Sequence, residues 1–517
     1  MKRIVLLLFA FACIATGHAQ EAYAVYKDGT ITYYYDNLKD SRDGEVLEEK
    51  LVKGENSEEI VKAVFDPSIA NWSNPSISAS DENSLHGFFY FYTNLKEISG
   101  LEYLNTSEVT DMSSMFDHCS NLTSIDLSKF NTSKVIDMGY MFNYCSSLTS
   151  LDLSHFDTSN VNKMTAMFQY CSSLTSLDVS KFNTSNVSKM TSMFNGCSGL
   201  TSLDVSHFDT SNVIDIGGIF ADCSGLTSLD VSKFDTHNVT YMNFMFGNCS
   251  GLRTLDVSHF DTSNVIDMSS MFTNCPGLIS LDVSKFNTSN VTNMSNMFWR
   301  CLNLTSIDVS NFDTSNVTDM NTMFRECENL SELNLSSFNT SKVTNMWGMF
   351  HSCPNFISLD LSSFDTSNVT DMEEMFYGCT NLKSIDLGKF YTTNVTDMSG
   401  MFRACKWLRE LTISAESVPE MAEDAFNNKG EEGPDFSKMT LHVPENLISQ
   451  YLKTSPWKSF GTILTFKPTG IQAVHIDKGN STIYNLQGHR QDSMRKGINI
   501  IRQPDGQVIK VIKKKAL

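Results

Sequence analysis

The chain repeats itself every 26 residues, and this period constrains its fold more than any other feature. One unit runs from Leu174 to Gly199 and follows the pattern L-x-x-L-D-V-S-x-F-[ND]-T-S-x-V-x-x-M-x-x-M-F-x-x-C-x-x. A fixed period of about 20 to 50 residues is typical of solenoids and related repeat folds. Twelve cysteines keep this spacing without a slip, namely Cys119, Cys145, Cys171, Cys197, Cys223, Cys249, Cys275, Cys301, Cys327, Cys353, Cys379 and Cys405.

Each unit has two halves with different periodicities. Apolar and polar residues alternate from Leu177 to Ser180, which predicts a short β-strand with Leu177 and Val179 facing inward. After Phe182, apolar residues recur at steps of three and four up to Cys197, which predicts a short helical segment. Because only stacked units bury both apolar faces, the sequence predicts an α/β solenoid. We expect a leucine-rich-repeat-like stack with a parallel β-sheet on one face and short helical segments on the other.

The segments that flank the repeats are less regular. Residues 1–19 are predicted to be a signal peptide, because Lys2 and Arg3 precede an apolar run that ends in small residues. Residues 20–85 form an N-terminal region with predicted strands at Thr30 to Tyr35 and Val61 to Phe65. Residues 86–110 are predicted to form an N-terminal cap of the solenoid, residues 111–413 the twelve repeats, and residues 414–466 a degenerate terminal repeat or cap. Residues 470–517 are predicted to form a small β-type module. Its predicted strands are Ser481 to Asn485, Ile498 to Arg502 and Gln507 to Ile512.

The charge of the chain limits its partners. The formal net charge is −20, and an acidic surface repels both nucleic acids and anionic membranes. After residue 19, no stretch reaches the ~18 to 20 consecutive apolar residues that a membrane-spanning helix needs. The sequence therefore predicts a protein that is secreted or held at the outer cell surface, without a transmembrane segment and without a nucleic-acid partner.

The cysteine row is open to more than one interpretation. Identical positions in successive coils bring the thiols into one row, in which each thiol has two equivalent neighbours. Cysteine is also a good small core residue, which favours buried free thiols. An even number of cysteines in an exported protein suggests disulfides between coils as the alternative. A metal site is disfavoured because the repeat contains no CxxC pair and no histidine at zinc spacing.

A row of aspartates lies on the outward face of the predicted sheet. Stacked carboxylates about 5 Å apart repel one another unless something compensates for their charge. Nearby Ser, Thr and backbone N–H groups offer one compensation. A calcium ion at Asp178, Asp204 and Asp230, or a partner protein, offers another. The row consists of Asp126, Asp152, Asp178, Asp204, Asp230, Asp256, Asp282, Asp308, Asp360 and Asp386, and Asn334 interrupts it.

Positions that differ between copies are the candidates for specificity, because repeat proteins share a framework and vary their contacts. Such differences lie around the Met-Phe pair of the repeat. We take three of them, with three aspartates of the outward row, as candidate binding residues: Trp299, Arg300, Arg325, Asp178, Asp204 and Asp230. Glu326 and Phe244 break the uniformity in the same region.

The sequence contains no recognisable enzyme signature. It lacks a glycine-rich phosphate loop, a G-x-S-x-G motif and an H-E-x-x-H motif. A catalytic site is a singular arrangement, whereas most polar residues here recur in copy after copy. We therefore expect no enzymatic activity and no cofactor, with calcium as the single ion under consideration.

The repeat unit resembles that of BspA-like leucine-rich-repeat surface proteins. The resemblance rests on Leu174 to Val187, Met190, Met193-Phe194 and Cys197, and it extends over roughly residues 86–465. It implies adherence to host matrix proteins and epithelium and coaggregation with other microbes, but it transfers no contact residue. The segments Ile483 to Gly488, Gly497 to Ile501 and Lys510 to Lys515 are similar to C-terminal sorting modules of outer-surface proteins.

Three functions remain as hypotheses. The first is an adhesin or protein-protein interaction scaffold directed at host extracellular proteins or other microbes. The second is a surface glycan-binding protein for nutrient capture, which would need an exposed aromatic cluster, for example around Trp299 or Trp347. The third is a passive surface-layer protein that associates with itself and has no external ligand.

Overall fold

The 26-residue units stack as parallel coils, each in register with the next. This architecture is seen in a computed structural model that describes residues 20–47, 57–72, 83–421, 425–426 and 433–467, together with four strands beyond residue 481. The predicted signal peptide lies outside the described residues. Single-residue parallel bridges join successive coils from Ser84 with Asp111 to Asp371 with Asp397. The predicted solenoid is confirmed.

The Met-Phe-Cys half of each coil consists of successive turns and not of the predicted helical segment. Its backbone N–H groups bond alternately within the coil and across to the next one. Those of Ser114 and Phe116, for example, donate to the carbonyl oxygens of Gly139 and Met141 at 2.8 and 2.9 Å. Ser114 and His118 adopt positive φ angles of 54° and 63°, which an α-helix does not tolerate. A turn with this alternation places apolar residues on one side at steps of three and four, as a helix does.

The Leu-Asp-Val half becomes a hydrogen-bonded sheet in the last coils. Its strands form a five-stranded sheet in the order β10-β9-β8-β7-β6, and β6 to β9 are parallel. A short helix, α1 (Ile448–Tyr451), follows β9. The strands are β6 (Ser358–Asp360), β7 (Ser384–Asp386), β8 (Glu410–Thr412), β9 (Thr440–Pro444) and β10 (Thr462–Phe466).

Coil spacing explains why the two halves differ. Phe312 and Phe338, which follow the Leu-Asp-Val segments, have ring centroids 6.5 Å apart. Phe298 and Phe324, in the Met-Phe-Cys half of nearby coils, are 5.6 Å apart. Hydrogen-bonded strands require a separation of about 4.8 Å. Rings of equivalent residues thus lie closer together in the Met-Phe-Cys half, and the ladder of backbone bonds between coils runs there.

A small mixed sheet packs against the first coil. β1 and β2 form an antiparallel hairpin whose turn residues, Asp28 and Gly29, both have positive φ, as two-residue hairpin turns require. The Tyr33 and Phe65 rings of this sheet stack at 4.8 Å and meet Phe88 of the first coil. The strand order is β3-β1-β2-β4-β5. The strands are β1 (Glu21–Lys27), β2 (Thr30–Asp36), β3 (Glu45–Leu47), β4 (Lys62–Phe65) and β5 (Glu97–Ser99).

The chain divides into two compact units, Met1–Thr465 and Phe466–Leu517. The second unit contains an antiparallel sheet in the order β12-β11-β13-β14. Three of its four strands coincide with those that the sequence predicts. They are β11 (Thr482–Tyr484), β12 (Arg490–Gln491), β13 (Gly497–Arg502) and β14 (Val508–Lys513).

Candidate protein-binding strip

The two residues that precede each cysteine form a row that we call the variable strip, because they change from coil to coil. The first residue of the pair is buried in most coils, as in Asn195 and Thr273, whereas the second is usually at least partly exposed. The strip runs from Asp117-His118 to Arg403-Ala404. Its backbone is fixed: the N–H groups of Arg300 and Glu326 donate to carbonyl oxygens of the next coil at 2.8 and 2.7 Å. The same two residues have φ angles of 60° and 57°. The strip thus presents diverse side chains from a rigid backbone.

Three of the predicted contact residues meet at one carboxylate in this strip. Arg300 Nη1 lies 3.4 Å from Glu326 Oε2, and Arg325 Nε lies 3.3 Å from Glu326 Oε1. The Trp299 indole N–H donates to Glu326 Oε1 at 3.5 Å. Arg300 is exposed, while Trp299 and Arg325 are half-buried. The structure therefore brings these candidates together around Glu326.

The contacts continue into the next coils. The Arg325 guanidinium lies 5.3 Å from the centre of the Trp347 ring, a cation–π distance. His351 Nε2 is 3.3 Å from Glu374 Oε2, and the His351 ring stacks on Tyr377 at 4.5 Å. We call this group the charged-aromatic cluster: Trp299, Arg300, Arg325, Glu326, Trp347, His351, Glu374 and Tyr377. His351, Glu374 and Tyr377 were not singled out from the sequence, since their contacts join separate coils.

Burial decides the protonation state of the histidine in this cluster. Burial, and then the charge of Arg325, lower the pKa of His351 to about 4. His351 is therefore neutral near pH 7 and does not add to the positive charge of the two arginines.

The other end of the strip carries an aromatic stack. Phe91 lies against His118 at 4.1 Å, His118 against Tyr144 at 4.4 Å, and Tyr144 against Tyr170 at 4.5 Å. Because the rings stack face to face, they present mainly their edges to solvent. Aromatic residues at a 26-residue spacing are the sequence signal that could have located this stack. Between the two ends, Asn248 donates to Asp222 Oδ1 at 2.8 Å.

The aspartates proposed for calcium lie on the other half of the coils. Asp178, Asp204 and Asp230 are exposed, and each accepts a hydrogen bond from the backbone N–H of the serine two residues later, at 2.9 to 3.0 Å. These local bonds lower the pKa of all three carboxyl groups. Within the described part of the chain, no group of three or more His, Cys, Asp or Glu residues is arranged to hold a metal ion.

Phe244 occupies the strip region but not the cluster. Its φ is 57°, and its ring covers Gly247, where an added Cβ would lie 2.3 Å from the ring. Phe244 is half-buried. Its ring is therefore partly used in packing within its own coil.

The cysteine row is buried, and its thiols are free. Each thiol has a backbone acceptor in the preceding coil; for Cys197, this is the carbonyl oxygen of Phe168 at 3.1 Å. Burial raises the pKa of the thiols, to about 12 for Cys275 and Cys379. The row thus belongs to the core and offers no reactive thiolate.

The chain is similar to several leucine-rich-repeat structures at low identity. With the functional domain of InlJ from Listeria monocytogenes, described as including a cysteine ladder, it shares 16% identity over 74% of this chain and 77% of that chain, with a TM-score of 0.29. With a leucine-rich-repeat protein of Leptospira interrogans it shares 10% identity over 64% of this chain and 84% of that chain, with a TM-score of 0.22. With TLR13, solved in complex with ssRNA13, it shares 15% identity over 79% of this chain and 54% of that chain, with a TM-score of 0.24. That match therefore spans about half of the TLR13 chain.

No curated protein matched the chain. No described helix is long and apolar enough to cross a membrane. A family model described as "Mycoplasma protein of unknown function, DUF285" matches residues 83–202, 173–276, 250–337 and 326–430. These overlapping ranges cover more than half of the sequence and coincide with the solenoid. The chain therefore belongs to the DUF285 family.

Proposed function

We propose that this protein is a secreted or surface-displayed interaction scaffold that acts as an adhesin towards extracellular proteins or other microbes. The observation that carries the proposal is the charged-aromatic cluster. Trp, Tyr and Arg are the residues most often found at the energetic centres of protein interfaces. Here they converge within four coils, on a backbone that is hydrogen-bonded on both sides and loses little freedom on binding.

The resemblance to BspA-like surface proteins supports the same role. On this proposal, residues 1–19 direct export, and the second unit serves as the sorting module that holds the protein at, or releases it from, the outer surface. No catalytic step and no cofactor are part of the proposal.

A glycan ligand is less well supported by the same residues. Sugars bind aromatic side chains through their ring faces, and the Trp347 face lies beside the Arg325 guanidinium. Trp299 directs its indole N–H to Glu326 and is half-buried. The aromatic cluster that the glycan hypothesis requires is therefore already engaged in contacts within the protein.

The test is binding of the purified protein to extracellular matrix proteins, epithelial surfaces, microbial cells and glycans. We expect saturable binding to a protein ligand, weakened at least about 10-fold by Trp299→Ala or Arg300→Ala. Asn274→Ala, in the same strip but outside the cluster, is the matched control and should change affinity less than about 2-fold. Equal effects of all three substitutions would contradict a binding role for the cluster.

Other results of this assay would redirect the proposal. If binding is lost on addition of a calcium chelator, Asp178, Asp204 and Asp230 become the site to examine. Binding to glycans alone would favour nutrient capture. Self-association without any ligand would favour a structural surface role.

A further inference from the structure

A second surface, on the Leu-Asp-Val half of the coils, has the properties of a docking groove. An open depression of about 830 Å³ spans three successive coils there. Leu281 and Ile307 lie at its base and are 7% and 8% exposed, and Leu333 is half-buried. Three carboxylates stand around this apolar base: Asp282, Asp308 and Glu332.

The charge of this groove is compensated less than that of the coils before it. In those coils, and in the first coil of the groove itself, the position three residues after the aspartate is cationic or titratable: Lys129, His155, Lys181, His207, Lys233, His259 and, after Asp282, Lys285. In the following three coils the same position is Asn311, Ser337 and Ser363. Hydrogen bonds from the serine two residues later lower the pKa of Asp178, Asp282 and Asp308. Nearby Lys or His charges lower it further at Asp178 and Asp282, but not at Asp308.

The residue at position 332 adds a further negative charge to the groove. The preceding coils have Ser or Thr at this position, as in Ser280 and Ser306, and here it is Glu332. Among the described residues, Glu332 forms no ion pair. The oxygens of Asp282 and Asp308 that accept from Ser284 and Ser310 are Oδ1, so the other carboxylate oxygen of each remains available to a ligand.

The spacing of the coils indicates the shape of the occupant. In an extended segment, alternate side chains lie about 6.6 to 6.8 Å apart on one face. The ring centroids of Phe312 and Phe338, two buried residues in the same coils as Asp308 and Glu332, are 6.5 Å apart. An extended segment that runs along the stack would therefore place every second side chain over a successive coil.

We propose that this groove binds an extended segment of a partner protein that carries Lys or Arg at alternate positions. The cationic side chains would meet Asp282, Asp308 and Glu332 in turn, while the segment covers Leu281 and Ile307. The overall charge favours such a partner, because residues 83–421 contain 17 Lys and Arg against 36 Asp and Glu. This surface is separate from the charged-aromatic cluster and does not depend on the function proposed for it.

The experiment uses a fluorescein-labelled peptide of five Lys-Ala repeats and measures fluorescence anisotropy with the full chain at about 0.15 M NaCl. We expect saturable binding of this peptide and none of a Glu-Ala peptide of equal length. A peptide with five consecutive Lys followed by five Ala should bind several-fold more weakly, since its charges do not match the coil spacing.

The site can be tested with variants whose new residues already occur at the equivalent positions of other coils. Glu332→Ser combined with Asn311→Lys restores the residues of earlier coils, and we expect it to lower affinity about 10-fold. Glu328→Lys makes the same change in net charge outside the groove, copies Lys406 and should alter affinity less than about 2-fold. Circular dichroism and thermal unfolding establish that both variants stay folded.

The proposal is overturned if the Lys-Ala peptide does not bind, if Glu328→Lys weakens binding as much as the groove variant, or if the clustered peptide binds equally well. The last two results would indicate general attraction to an acidic surface. Trp299→Ala should leave peptide binding unchanged, so failure at the groove and failure at the charged-aromatic cluster can be told apart.

Discussion

Single buried threonines join successive coils, in most cases through two hydrogen bonds. The Thr314 hydroxyl donates to the carbonyl oxygen of Asn339 at 2.9 Å and accepts from the N–H of the same residue at 2.8 Å. The Thr314 side chain is fully buried. One hydroxyl therefore satisfies two backbone groups of the neighbouring coil, which explains why a threonine recurs at this position of the repeat.

Thr314→Val should lower the free energy of unfolding by about 1 to 3 kcal/mol. Valine has nearly the same shape, but it leaves a buried N–H and a buried carbonyl without partners. Urea unfolding followed by circular dichroism measures the loss. Thr305→Val is the matched control, because Thr305 is exposed, and we expect a change of no more than about 0.5 kcal/mol. Equal losses in the two variants would argue against the inter-coil bonds as the cause.

At the level of the structural element, one substitution distinguishes the turns of the Met-Phe-Cys half from a helix, because it raises the free energy of unfolding in one case and lowers it in the other. Ala404 has a φ of 62°, a conformation in which a Cβ is unfavourable, and Gly196 and Gly378 occupy the same position in other coils. Ala404→Gly should therefore raise the free energy of unfolding by about 0.5 to 1 kcal/mol. In a helix, the same change would lower it by about 1 kcal/mol.

The control for that substitution is Ala221→Gly. Ala221 is buried and is not among the residues with positive φ, so removal of its methyl group should destabilise the protein by about 1 kcal/mol. Thermal or urea unfolding of both variants shows whether each substitution raises or lowers the free energy of unfolding. Destabilisation by Ala404→Gly would refute the turn geometry described for this half.

The same element shows where prediction from sequence reaches its limit. Apolar spacing located the inward face, and Met190, Met193 and Cys197 are fully buried. It did not separate a helix from turns, because both place residues at steps of three and four on one side. Glycines at fixed positions, such as Gly196 and Gly378, were the signal for positive φ.

The candidate site was predictable to the extent that its residues break the repeat. Trp299 and Arg300 each occur in one copy and Arg325 recurs only as Arg403, and the structure joins the three residues through Glu326. The contact between His351 and Glu374 spans two coils, so it depends on how the coils stack. A single unit of sequence contains no information on such a pair. The groove at Asp308 depends in the same way on residues that three coils contribute.

In the whole molecule, one register connects all the coils, so a property of one position is repeated along the stack. The period of 26 residues places each inward side chain over its counterpart, as in the Phe142 and Phe168 rings, which stack at 5.8 Å. The sequence therefore predicted the solenoid, because alignment of equivalent residues needs only a constant period. It placed the sheet in the Leu-Asp-Val half and did not predict the ladder of bridges in the Met-Phe-Cys half, since that ladder depends on how closely the coils approach.

The cysteine row gives the whole molecule a dependence on alkaline pH. Burial raises the pKa of the thiols, to about 12 for Cys275 and Cys379, whereas an unfolded thiol titrates near 8.5. A group whose pKa is higher in the folded state contributes its full stability below the unfolded pKa and loses it as pH rises towards the folded value. The contribution of the thiols to the free energy of unfolding should therefore be constant up to about pH 8 and fall between about pH 9 and 12.

Cys301→Ala isolates one thiol from the other groups that titrate in this range. The variant should be less stable than the wild type at pH 7, and the difference should shrink by up to about 1.4 kcal/mol per pH unit once an unfolded thiol is ionised. Urea unfolding at a series of pH values measures it. Reaction of the denatured, unreduced protein with a thiol reagent is the necessary control: about twelve reactive groups from the row are expected, and near zero would indicate disulfides. A difference that stays constant with pH would mean that the buried thiol does not titrate on unfolding.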